Sequence, residues 1–209
     1  MTIEVWIYYV LAVLVLTASP GPSSLLCMTK GVTGGWKVGA YTALGSLAAI
    51  TSILTLSFTG LGVIIISSEV IFNAIKWIGA GYLVYLGLKA LTSKEKSYVK
   101  PALNRSANSD FTSHFVSGLI VGASNPKAIL FFTALFPQFI NPSEALFIQY
   151  VVFALTFVVL ELSWLLLYAY LGSRSSSWVF ASGRATLFNR LTGGVFIGAG
   201  ALLSTTSRV

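Results

Sequence analysis

Six apolar runs, at 4–27, 38–60, 69–91, 114–138, 146–172 and 186–205, occupy most of this 209-residue chain. A bilayer core about 30 Å thick needs about 20 apolar residues per crossing helix, so each run is long enough to span one. A hydrophobic fraction of 56% and a charged fraction of only 9%, against roughly a quarter charged in an ordinary soluble domain, exclude a normal soluble fold. The expected fold class is an all-α integral membrane protein of six transmembrane helices. No room is left for a separate enzymatic domain. Met1 to Trp6 carries Glu4 and neither Lys nor Arg, so it lacks the positive region of a cleavable signal peptide, and the first run is expected to remain as a span.

The polar residues divide the chain. The stretch 92–112, with Lys94, Glu95, Lys96, Lys100, Arg105 and Asp110, is too polar to span and reads as a linker between a first three-helix half, 1–91, and a second, 113–209. The whole, 1–209, is read as one transporter-like domain. Halves with an odd number of spans are necessarily inverted in the membrane, so the expectation is two inverted three-helix repeats. Lys30, Lys37, Lys89, Lys94, Lys96, Lys100, Arg105, Arg174, Arg184 and Arg190 fall on one side, 10 of the 13 Lys and Arg. The positive-inside rule then puts the linker in the cytoplasm and both termini outside. The net charge of +7 is dispersed between apolar runs, without the basic and aromatic stripe of a nucleic-acid binder.

Two of the runs carry their own interruptions. In Ser19-Pro20-Gly21-Pro22 each proline removes an amide donor and blocks the carbonyl four residues back, orphaning those of Leu16 and Ala18. Pro126, in Asn125-Pro126-Lys127, does the same to Gly122. Broken backbone at membrane depth must face protein or a wet cavity, and breaks at corresponding places in two halves mark a binding site in secondary transporters. The helices restarting at Ser23-Ser24 and at Lys127 offer amide donors and a partial positive end suited to a carboxylate. Ser19, Ser23, Ser24, Ser124 and Asn125 add hydroxyl and amide partners. The expected substrate-binding set is therefore Ser19, Pro20, Gly21, Pro22, Ser23, Ser24, Asn125, Pro126 and Lys127.

Lys127 and Glu161 are the ionisable residues expected inside spans. Lys127 would hold a substrate carboxylate, or pair with Glu161 when the site is empty. Glu161, near the middle of the fifth run, costs at least roughly 2.5 to 3.5 kcal/mol there and is by default a functional candidate. One His (His114) and one Cys (Cys27) leave too few parts for a metal centre or an embedded enzyme, and no cofactor is implied. Gly118 and Gly122, and Gly194 and Gly198, are small residues four apart that suit close helix packing, within one protomer or in a homodimer.

The motifs taken together resemble the LysE/RhtB family of bacterial amino-acid exporters, in particular its homoserine and threonine branch. They are Ser19-Pro20-Gly21-Pro22, Lys76-Trp77-Ile78-Gly79-Ala80-Gly81-Tyr82-Leu83, Asn125-Pro126-Lys127, and Leu135-Phe136-Pro137-Gln138-Phe139-Ile140, with an acid seven residues before Tyr168-Ala169. The resemblance implies secondary active export of small amino acids, homoserine-, threonine- or leucine-like, across a bacterial inner membrane. It further implies exchange driven by protons and places Glu161 in a matching acidic position; as a buried carboxylate whose ionisation depends on a nearby substrate ammonium or Lys127, Glu161 is the expected proton-coupling residue. Without the resemblance the residues alone reach a transporter-like protein with a zwitterion site, and a passive channel or a membrane scaffold stays open.

Overall fold

The computed structural model describes residues 1–60, 69–92, 110–179 and 184–205. Most of the linker expected at 92–112 lies outside them. The described chain is helical, with no strand among these residues.

The first run is two helices, α1 (Ile3–Ala18) and α2 (Pro22–Gly34), bent by 48° across Ser19–Gly21. Thr2 caps α1, its hydroxyl accepting from the Val5 amide, and Pro22 opens α2 at the first helical position, where a missing amide is harmless. Gly35, at φ 84°, stops α2 in a conformation only glycine adopts cheaply. The chain then enters α3 (Trp36–Phe58). The third run is α4 (Glu69–Thr92).

The fourth run repeats the pattern of the first. α5 (Phe111–Ala123), capped by Asp110, bends by 48° into α6 (Pro126–Leu130). α6 passes into one π turn (Phe131–Leu135) and one 3-10 turn (Phe136–Phe139). The fifth run is the long α7 (Leu146–Val179) and the sixth α8 (Arg184–Thr205). By length and apolarity α3 and α7 can each cross a membrane singly, and the two bent pairs can do so as broken spans.

Glycines decide which helices touch. A side chain on Gly118 would collide with the carbonyl of Thr42, and one on Gly31 with the carbonyl of Ala169, so α5 lies against α3 and α2 against α7 at backbone distance. α4 and α8 pair through Gly87 and Gly193, where a Cβ on Gly193 would sit 2.9 Å from the Gly87 carbonyl oxygen. The packing expected of Gly118 and Gly122 is therefore present. Among the described residues of this chain nothing lies within 4 Å of a side chain placed on Gly194 or Gly198; Gly193 and Gly200 face α4 instead.

Candidate functional site

The two broken helices run antiparallel, and their breaks meet. At one end Lys30 Nζ lies 3.4 Å from His114 Nδ1. Next, Asn125 Nδ2 donates to Ser23 Oγ at 3.2 Å, and Lys127 Nζ donates to the Ser19 carbonyl at 2.7 Å. Beyond the breaks the Tyr9 ring stacks near Phe136 and Phe139, and the N-terminal ammonium pairs with Glu144. Position falls from 30 to 1 on one chain segment as it rises from 114 to 144 on the other.

The carbonyls orphaned by proline all find donors. Leu16 O receives Lys127 Nζ at 2.5 Å and Ser19 Oγ at 3.2 Å. Ala18 O receives the Tyr168 hydroxyl at 3.0 Å, and Gly122 O receives the Asn125 amide at 3.2 Å. The ammonium of Lys127 has three donors, directed at Leu16 O, Ser19 O and Ser19 Oγ. A cation at the C-terminal end of a helix is also where the macrodipole favours one. Lys127 is thus the C-terminal cap of α1, delivered from the other half of the chain.

That arrangement corrects one expectation: Lys127 and Glu161 form no ion pair within 4.0 Å, because the Lys127 donors are turned to the α1 carbonyls. Their charges are still close enough to act on each other.

The two restarting helices also differ. No side chain caps α2, whose N-cap is Gly21. In α6 the Asn125 side chain accepts from the Lys127 amide at 3.2 Å, so an amide expected to be free is occupied. The break at Ser19 and Pro20 is exposed, whereas Ser23, Ser24, Ser124 and Asn125 are buried.

Glu161 belongs to a buried stripe of α7 at four-residue spacing, Phe153, Phe157, Glu161, Leu165 and Ala169, one face of a helix. It is only 7% exposed, and among the described residues its carboxylate has no hydrogen-bond or ion-pair partner. Cys27 lies near enough to feel its charge. Cys27 packs with Leu165 and Ala169, and Gly31 meets Ala169 and Ser173, so α2 and α7 run parallel. One turn back, that register sets Ser24 between the levels of Glu161 and Leu165.

Two residues outside the expected set belong to this site. Tyr168 lies seven positions after Glu161, a spacing that returns to the same helix face and was the available signal. Thr17, buried in the last turn of α1, has a hydroxyl without a partner among the described residues. Beyond the breaks, toward Met1 and Glu144, Tyr9, Phe132, Phe136, Phe153 and Phe157 are all fully buried in one cluster. Toward Lys30 and His114 the contact is thinner and aliphatic, with Leu26, Leu83 and Val121 beside Phe196.

A family model described as LysE type translocator matches residues 14–207. The homoserine/homoserine lactone efflux protein of Salmonella typhi is 29% identical over 205 residues, covering 98% of each chain, and that of Salmonella typhimurium has the same identity and coverage. An uncharacterized membrane protein of Bacillus subtilis is 28% identical over 87% of this chain and 89% of its own. No solved structure matches.

Proposed function

The chain belongs to the LysE type translocator family and is a membrane transporter rather than an enzyme; from that premise we propose that it exports small amino acids of the homoserine class in exchange for protons. The observation that carries the reading is the meeting of the two breaks, bridged by Lys127. Efflux of such compounds is what the names of the Salmonella relatives state.

We count α4 and α8 as the third and sixth spans, giving two inverted halves, and the antiparallel course of the broken helices supports this. Lys and Arg gather at the Lys30 and His114 end, which we assign to the cytoplasm, with both termini outside. The membrane is a bacterial inner membrane. On that orientation the aromatic cluster closes the outward side of the break.

A zwitterion fits the break in the following way. Its carboxylate is received by the uncapped amides at the start of α2 and by the hydroxyls of Ser23 and Ser24, and it draws Lys127 off α1. The carbonyls of Leu16 and Ser19, released from Lys127, accept the substrate ammonium in its place, with Thr17 beside them. Asn125 and Pro126 hold the second break in position, while Pro20, Gly21 and Pro22 keep the first one open. Glu161, buried without a partner, takes the proton when the substrate has left and gives it up on the cytoplasmic side. Exchange requires that substrate and proton each alter the affinity for the other, and a carboxylate within reach of Lys127's charge provides such a link.

Inside-out vesicles containing the full chain test this. Labelled homoserine, threonine and leucine should accumulate in the lumen when it is acidified, and accumulation should collapse with an uncoupler. Equilibration that ignores the pH gradient would replace the exchanger with a passive channel.

A further inference from the structure

Facing stripes on α2 and α5 continue inward from the break. On α2 they are Ser23, Leu26 and Lys30; on α5 they are Val121, Ser117 and His114, at helical spacing, with Asn125 at the break just beyond α5. Their partners match level by level. Ser23 bonds Asn125, Leu26 and Val121 share one buried cluster, and Lys30 Nζ lies 3.4 Å from His114 Nδ1. α4 lines a third side, with Tyr82 donating to Ser117 Oγ at 2.8 Å, Leu86 against the aliphatic cluster, and Lys89 close enough for its charge to act on Lys30.

The innermost level is cationic. Lys30 and His114 are both half-buried, and among the described residues neither is in an ion pair with an acid. Asp110, whose charge reaches His114, caps the Thr112 amide. Cationic charge half-buried in this way attracts anions to this level. An amine donating to Nδ1 leaves the imidazole neutral, with its Nε2–H as a further donor.

We propose that Lys30 and His114 form an inner vestibule that binds the carboxylate of the outgoing substrate, before it passes Leu26 and Val121 to the break. The distance suits a two-step passage: seven residues of helix, about 10 Å at about 1.5 Å per residue, separate Lys30 from Ser23. The aliphatic level between them is a constriction that a small amino acid crosses and the bulk solution does not. The role of the substrate rests on the export reading above; the anion pocket itself does not.

The chain holds a single histidine, which makes the pocket directly observable. In full-length protein purified on a histidine-free tag and labelled with 15N-histidine, homoserine should shift the His114 ring signals and homoserine lactone, which lacks the carboxylate, should not. The shift should vanish in Lys30→Gln and persist in Lys30→Arg. In inside-out vesicles Lys30→Gln should raise KM for homoserine about tenfold or more, as loss of a charge-assisted hydrogen bond does, with KM for the lactone and both maximal rates little changed. Ring signals that ignore homoserine, or that move equally with the lactone, overturn the vestibule, as does an unaltered KM or an equal change for both compounds. A His114 response in a protein that exports nothing would instead overturn the export reading and leave the pocket standing.

Discussion

Replacing Lys127 by Met keeps most of the side-chain stem and removes the ammonium that closes the end of α1. Three bonds are lost, to Leu16 O at 2.5 Å, Ser19 O at 2.7 Å and Ser19 Oγ at 3.2 Å. Leu16 O keeps the Ser19 hydroxyl, and Ser19 is exposed enough for water to replace part of the loss. With hydrogen bonds to charged groups contributing about 1.5 to 3 kcal/mol each, and only Leu16 deeply buried, the expected destabilisation is about 2 to 3 kcal/mol. Tyr168→Phe removes one neutral bond to Ala18 O, at 3.0 Å, and should cost about 1 kcal/mol. Both side chains close the same helix end, so their double-mutant cycle should show a coupling of about 0.5 kcal/mol or more. Reversible unfolding in mixed micelles, with export measured in parallel, supplies the numbers. A Lys127→Met protein within about 0.5 kcal/mol of the parent would refute the capping role, and a raised KM with unchanged stability would return Lys127 to a purely substrate-facing role.

Glu161→Gln should fold, lose proton-driven accumulation and keep exchange between equal pools of labelled and unlabelled substrate; normal accumulation would make the carboxylate structural. Gly31→Ala, whose new carbon would collide with the Ala169 carbonyl, should cut the yield of folded protein, whereas Gly198→Ala, with nothing within 4 Å, should be neutral or gain about 0.5 to 1 kcal/mol of stability. Single cysteines in a Cys27→Ser background should be labelled from the cytoplasm at 100 and from outside at 144; the reverse pattern would invert the topology.

Much of this site can be read from proline alone. The rule that proline orphans the carbonyl four residues back names Leu16, Ala18 and Gly122 before any coordinates, and all three accept from new donors. The donors themselves are less legible. Lys127 and Tyr168 are 111 and 150 residues from the carbonyls they reach, and no local pattern encodes such a meeting. Asn125 is an intermediate case. Asn before Pro is the residue order of a helix N-cap, so its use on the Lys127 amide was available from the sequence, although the residues also suited a ligand role. The face of a glycine in an apolar helix is hidden because Gly193 and Gly194 differ by one position and about 100° of rotation. Only the neighbouring helix decides which of them is packed.

The difference between the two breaks bears on how a carrier site can be stable when empty. A bare helix C-terminus leaves acceptors, a bare N-terminus leaves donors, and in a membrane neither can stay unsatisfied without water. Here the acceptors at the end of α1 are filled by the protein's own cation, while no side chain caps the start of α2, three residues away. A zwitterion brings one group of each kind. Its ammonium is equivalent in charge to the one on Lys127, so the exchange between them conserves charge at α1, and its carboxylate adds the partner that α2 and the displaced Lys127 both lack. An amine with neither a carboxylate nor a lactone carbonyl to receive Lys127 could compete for the carbonyls but would leave Lys127 displaced and unpaired. Simple alkylamines should therefore inhibit weakly and not be transported, and transport of such an amine at the rate of the amino acid would show that Lys127 is not exchanged in this way.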